Sequence, residues 1–110
     1  MAVLQKLGGT GYKPGAASLT AAYAVDSSTQ VAVTAVIACN QSSSVTEKIR
    51  LCHSVNAAAA AAADYLWYDV ELLPGETKTL GNLTAGDTDV FRVYSLNGNV
   101  SFNFYGIENP

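Results

Sequence analysis

Apolar and polar residues alternate with a period of two along most of this chain, and the alternation stops at clusters of Gly, Pro, Asn, Asp and Ser spaced about ten residues apart. Residues 89–96 and 99–107 form the clearest pair of runs. Val90, Arg92, Tyr94 and Leu96 fall on one face and Phe91, Val93 and Ser95 on the other, while Val100, Phe102 and Phe104 alternate with Ser101, Asn103 and Tyr105. Between them, Asn97-Gly98 accepts the positive φ angles of a two-residue turn, so the pattern predicts that these two strands pair as a hairpin.

The same reading extends upstream. Residues 2–7 read as a short strand or an arm lying on a neighbour, and residues 8–15, broken by Gly8, Gly9, Gly11, Pro14 and Gly15, as a flexible loop. This glycine cluster lacks a Gly-Lys-Ser/Thr ending and no helical pattern follows it, so it is not a phosphate cradle. Leu19, Ala21, Tyr23 and Val25 alternate with Thr20, Ala22 and Ala24, giving a strand closed by Asp26-Ser27-Ser28-Thr29. Residues 30–40 are nearly all apolar, as in a central strand packed on both faces or covered by an adjoining subunit. After a turn at 41–44, residues 45–55 place Ile49, Leu51, His53 and Val55 on one face and Thr46, Lys48, Arg50, Cys52 and Ser54 on the other.

Seven alanines occupy positions 57–63, with Asn56 as a potential N-cap. They make either a helix of one or two turns or an irregular loop, because so short a helix is marginal in water even for alanine. Small side chains also suit a packing surface against another subunit. Residues 65–73 put Tyr65, Trp67, Asp69, Glu71 and Leu73 on one side and Leu66, Tyr68, Val70 and Leu72 on the other. Pro74-Gly75 then turns the chain into a short strand at 76–80, and a loop at 82–87 leads to the last two runs. The expected fold is all-β, an antiparallel β-sandwich or jelly roll of seven to eight strands with at most one short helix. It forms a single domain over residues 1–110, with residues 1–15 as an arm. Val33, Ile37, Ile49, Leu51, Val70, Val93, Phe102 and Phe104 are the expected core.

Composition narrows the function. A chain of 110 residues buries roughly 65 % of its unfolded surface, enough to fold with neither metal nor disulfide. Only 14 % of residues are charged and the net charge is −3, with the six basic residues scattered, so no basic stripe exists for nucleic acid. No apolar run reaches membrane-spanning length, and the first residues lack the pattern of a signal peptide, so synthesis in the cytoplasm is expected. Cys39 and Cys52 flank the turn at 41–44. If the flanking runs form a hairpin, the two thiols lie several steps apart along it, beyond the ~7 Å reach of a disulfide, and stay reduced.

Candidate chemistry is sparse. The single histidine, His53, shares a face with Leu51 and Val55, where a structural hydrogen bond suits it better than general-base work, and Cys52 points to the opposite face. No enzyme activity is expected, and no cofactor. Asp69 with Glu71, and Asp87 with Asp89, have the spacing of a Ca²⁺ ligand pair but equally that of strand-edge and turn chemistry. Trp67, Tyr65, Tyr68, Tyr94 and Tyr105 could line a sugar-binding face or serve as cross-strand packing.

Four stretches together resemble a family of small all-β bacteriophage virion proteins: LTAAYAV at 19–25, VTAVIACN at 33–40, YLWYDV at 65–70 and DVFRVYSLNGNVSFNFYGIE at 89–108. The glycine-rich residues 8–15 and the alanine run match that pattern only loosely. The resemblance implies a structural role in the virion, as a capsid decoration or cement protein or as a neck or tail adaptor or fiber-associated protein. It also implies assembly with other virion proteins, either the major capsid protein or neck and tail subunits, and a homo-oligomer without nucleic-acid or membrane partners. Val3, Leu4, Leu7, Tyr12 and Ala60 are the expected assembly contacts. A carbohydrate- or receptor-binding β-sandwich is the alternative, and it requires the aromatic residues to cluster at an exposed site.

Overall fold

In the computed structural model, which describes residues 3–110, the alternating runs become nine strands in two antiparallel sheets. They are β1 (Leu4–Lys6), β2 (Thr20–Ala24), β3 (Gln30–Asn40), β4 (Glu47–Ser54), β5 (Tyr65–Leu72), β6 (Thr77–Leu80), β7 (Leu83–Ala85), β8 (Val90–Ser95) and β9 (Val100–Asn109). The first sheet runs β1-β9-β3 and carries both β6 and β7 on the far side of β3, and the second runs β2-β8-β4-β5. β6 pairs with positions 36–39 of β3 and β7 with positions 31–33, so together they form one edge strand interrupted at Gly81-Asn82. Counted that way, eight strands cross between the sheets in the order of a jelly roll, and only β4 and β5 are consecutive strands that also pair. Helical structure is limited to one-turn 3-10 segments at Leu7–Gly9, Val55–Ala57 and Ala62–Asp64.

Two expected hairpins are therefore sheet-to-sheet crossings. β8 and β9 lie in different sheets, and the Asn97-Gly98 turn carries the chain across the end of the sandwich. The fully buried carboxylate of Glu47 accepts the backbone N–H groups of Asn97 at 2.8 Å and Asn99 at 3.1 Å, and the Ser95 hydroxyl accepts that of Gly98 at 3.1 Å. β3 and β4 are separated in the same way. Buried Asn40 secures that crossing, donating from Nδ2 to the carbonyls of Val45 at 2.8 Å and Leu72 at 3.0 Å and accepting from the Ser42 amide at 3.0 Å. Cys39 and Cys52 are both free, on opposite sheets and not on one hairpin.

The core between the sheets is built from β-branched residues and a string of aromatic rings. Phe91 of β8 lies 5.5 Å from Phe104 of β9, and Tyr23 and Tyr12 join them at 6.2 and 5.9 Å from Phe104. Offset and edge-on contacts of this kind add to the gain from burial itself. Val33, Ile49, Leu51, Val93, Phe102 and Phe104 are fully buried as expected. Ile37 is not a core residue, and Val70 is only partly buried against the core. A bulge at Thr34 shifts the register of β3 against β9 between Val33 and Ala35, so Val31 and Val33 point inward before it and Val36 and Ala38 after it. That change of phase turns Ile37 outward. In β5 a bulge around Asp69, at φ 51°, has the same effect, burying Trp67 and then Leu72.

Each free edge of the sheets is short or interrupted. β1 has three residues, β2 is bulged between Ala21 and Tyr23, β5 is bulged at Asp69, and the β6/β7 edge breaks where Gly81 passes Thr34. A Cβ at Gly81 would lie 2.6 Å from the Thr34 carbonyl oxygen, so only glycine allows that approach.

Candidate interaction surfaces

The outer face of the first sheet is the less charged of the two. Register places Leu4, Ile107 and Ala32 in one row, Lys6, Tyr105 and Ala35 in the next, then Asn103, Ile37 and Thr79, then Ser101, Cys39 and Thr77. Lys6 is the one charged residue in these rows, and its ammonium sits 6.0 Å from the centre of the Tyr105 ring. Leu4, Ala35, Ile37 and Tyr105 line a shallow apolar groove of about 560 Å³. Leu4 is 66 % exposed there, and Val3 before it in the chain is 56 % exposed.

The second sheet presents a different chemistry. Arg50 of β4 donates from Nε and Nη2 to the two carboxylate oxygens of Asp69 at 2.7 and 3.3 Å, and its guanidinium lies 4.3 Å from the Tyr68 ring and 4.5 Å from the Tyr94 ring. The paired Arg50 holds the Asp69 carboxyl below the usual carboxylate range. The bulge at Asp69 creates this arrangement, because it brings Tyr68 and Asp69 together toward Arg50. Sequence alternation alone, which separates Asp69 from Tyr68, missed it.

The alanine run folds over this same face. Positions 58–61 have no regular structure, and the segment between the two 3-10 turns is an irregular loop held by Arg92. Arg92 donates from Nη1 to the Ala58 carbonyl at 2.9 Å and the Ser54 hydroxyl at 2.8 Å. Ala60, Ala61 and Ala62 then border a cleft with Tyr65 and Tyr68, whose rings meet edge-to-face at 5.0 Å. Tyr68 is 59 % exposed, whereas Trp67 belongs to the core and Tyr105 to the other sheet. The aromatic residues singled out by sequence thus divide among three places.

The residues expected to form an N-terminal assembly arm also divide. Met1 and Ala2 lie outside the described residues. β1 pairs with β9, Leu7 is fully buried in the core, and Tyr12 exchanges two backbone hydrogen bonds with Phe102 at 2.8 and 2.7 Å. Leu7 is accordingly unavailable to a partner, since its own sandwich encloses it. Val3 and Leu4 are exposed, and Tyr12 and Ala60 are half-buried.

The acidic and histidine candidates are committed to loop structure. Buried Asp89 accepts from the amides of Gly86 at 3.0 Å and Asn56 at 3.2 Å and pairs with His53 Nε2 at 2.9 Å, while His53 stacks on Phe91 at 4.7 Å. Burial pushes the Asp89 carboxyl up, but the Gly86 amide, His53 and the Asn56 amide outweigh it and hold it below its ordinary value. Asp87 takes no part in this network. Glu71 stands opposite Lys48 in the β4–β5 register. Among the described residues, no three His, Cys, Asp or Glu side chains come together as a metal site. Set against family models, curated proteins and solved structures, the chain matches none of them.

Proposed function

We propose that this chain is a non-enzymatic structural subunit of a bacteriophage virion, a capsid decoration or cement protein that binds neighbouring subunits and stabilises the particle. The observation that carries the reading is the outer face of the first sheet, where Leu4, Ile107, Tyr105, Ala35 and Ile37 present apolar surface with Lys6 as the only charge. Uncharged sheet faces of this kind are characteristic of surfaces covered by a partner. The sequence resemblance to virion proteins supplies the setting, and the same surface suits a neck or tail adaptor.

Purified particles of the source phage, examined by quantitative mass spectrometry and by cryo-microscopy with labelled antibody, test the reading. The protein should be present in fixed ratio to the capsid or tail subunit it covers. Ile37→Asp should abolish incorporation while leaving the protein folded, with a melting temperature lowered by no more than several degrees, because the side chain points away from the core. Particles free of the protein, or normal incorporation of the Ile37→Asp variant, would refute it.

A second reading has its own observation. Tyr68, Tyr65 and the open alanine loop make an exposed aromatic corner beside Arg50 and Asp69, a surface able to stack on a sugar ring or seat a receptor segment.

A further inference from the structure

Between the free edges of the two sheets, where β1 and β2 face each other without pairing, a polar cleft of about 370 Å³ opens to solvent. Its polar walls are Gln5, Lys6, Tyr12, Tyr23, Asp26 and Glu108, with Gly8, Gly9 and Ala24 between them, and its size falls at the lower end of small-ligand sites. Glu108 is held in its wall by two side-chain hydrogen bonds. One carboxylate oxygen accepts the Tyr23 hydroxyl in a short hydrogen bond and the other accepts the Gln5 side-chain amide at 3.0 Å. A carboxylate has about four lone-pair sites, so these two bonds leave acceptor capacity unused on a residue that lines the cleft.

Two more polar groups line the cleft without a protein partner among the described residues: the Tyr12 hydroxyl and the Asp26 carboxylate. Burial pushes the Tyr12 phenol up, so it remains protonated, a donor as well as an acceptor. Burial and the Glu108 carboxylate do the same for Tyr23. Gly8 is required for the arrangement, because at its φ of +75° a Cβ would strike the Tyr12 hydroxyl.

The chemistry of this lining selects its guest. Asp26 and Glu108 outnumber the single cation Lys6, whose ammonium sits by the Tyr105 ring, so phosphate and other anions are disfavoured. An apolar guest would strand several hydrogen-bonding groups. A ligand rich in hydroxyl donors satisfies the carboxylates, the phenol and the amide together. We infer that the cleft at Tyr12, Asp26 and Glu108 is a saccharide-binding site that takes one neutral sugar residue of a glycan. It adjoins the apolar groove across β1, sharing Gln5 and Lys6 with it, but Tyr12, Asp26 and Glu108 belong to the cleft alone. It shares no residue with the Tyr65–Tyr68 corner, and it stands whether or not the chain is a virion subunit.

The full chain, probed on an array displaying the common terminal monosaccharides, tests this, followed by NMR titration of the labelled chain with the best-scoring free sugar. Binding should perturb the amides of Gly8, Gly9, Tyr12 and Asp26. Tyr12→Phe keeps the ring against Phe104 and removes one hydrogen bond, so it should weaken binding about fivefold, with a loss of at least that size for Asp26→Asn. Ile37→Asp should bind sugar normally, which separates this site from the assembly face. A silent array, perturbations confined to Tyr65 and Tyr68, or stronger perturbation of the cleft by spermidine than by any sugar would overturn the inference.

Discussion

Glu47 and Asn97 stand fifty positions apart, yet the Glu47 carboxylate accepts the Asn97 amide at 2.8 Å from a fully buried position. With its second bond, to the Asn99 amide, it ties the start of β4 to the crossing between β8 and β9. Glu47→Ala leaves two part-buried amides without their acceptor and empties a buried site, and should cost about 1 to 3 kcal/mol in urea denaturation, with Glu47→Gln retaining part of the loss. A change below about 0.5 kcal/mol for Glu47→Ala, the range of a neutral surface site, would contradict the clamp.

Acid should act through Asp89. Its folded-state pKa is depressed, so its contribution to stability is fully present above the unfolded value of about 3.9 and is lost as pH falls through the lower folded value. Asp89→Asn should be less stable at neutral pH and should lose less on acidification to about pH 2 than the wild type does. Parallel curves of stability against pH for the two proteins would remove Asp89 from the acid transition.

The bulge at Thr34 makes a paired prediction about β3 and its neighbour. Phe102→Ala should cost roughly 3 to 5 kcal/mol, because it empties a fully buried site. Ile37→Ala, one strand away in the register but facing outward, should cost under about 1 kcal/mol. Equal losses would mean that β3 keeps one phase throughout.

Residues 3–15 should matter to folding as well as to any assembly. Leu7 is enclosed by the core, so Leu7→Ala should cost about 2 to 5 kcal/mol, and removal of residues 1–15 should lower the melting temperature by many degrees. A truncated chain that melts with the wild type would show these contacts to be dispensable.

The thiols should differ in reactivity. Cys39 is partly exposed on the outer face of the first sheet, while Cys52 is fully buried beneath the alanine loop that Arg92 holds down. Alkylation of the native protein should modify Cys39 first, and denaturation without reductant should expose both. A recovered Cys39–Cys52 disulfide peptide would contradict their placement on opposite sheets.

Strand positions and much of the core were legible from period-two alternation around the turn residues, as in residues 89–107. Partnership was not. Asn97-Gly98 specifies a tight turn equally well between paired strands and across the end of a sandwich, and Glu47 and Asn40, which decide the matter, read in sequence as ordinary polar positions. Thr34 and Asp69 show a second limit, because a bulged residue is visible only once its partner strand is known, and each one reverses the faces of every residue that follows. The Arg50–Tyr68–Asp69 cluster and the cleft at Glu108 depend on such long-range placement, and no local pattern announces either. The alanine run was ambiguous for a different reason: its helix propensity was too small a sum to compete with the anchoring of its backbone by Arg92.

The interrupted edges of both sheets bear on how this protein tolerates crowding. Open backbone along a long flat edge strand is the template on which a further chain adds, then another, without a natural end. Here a three-residue strand, two bulges and the break at Gly81 leave no such template. Any association in concentrated solution should therefore run through side-chain surfaces, and the protein should resist growth by strand addition into cross-β fibres.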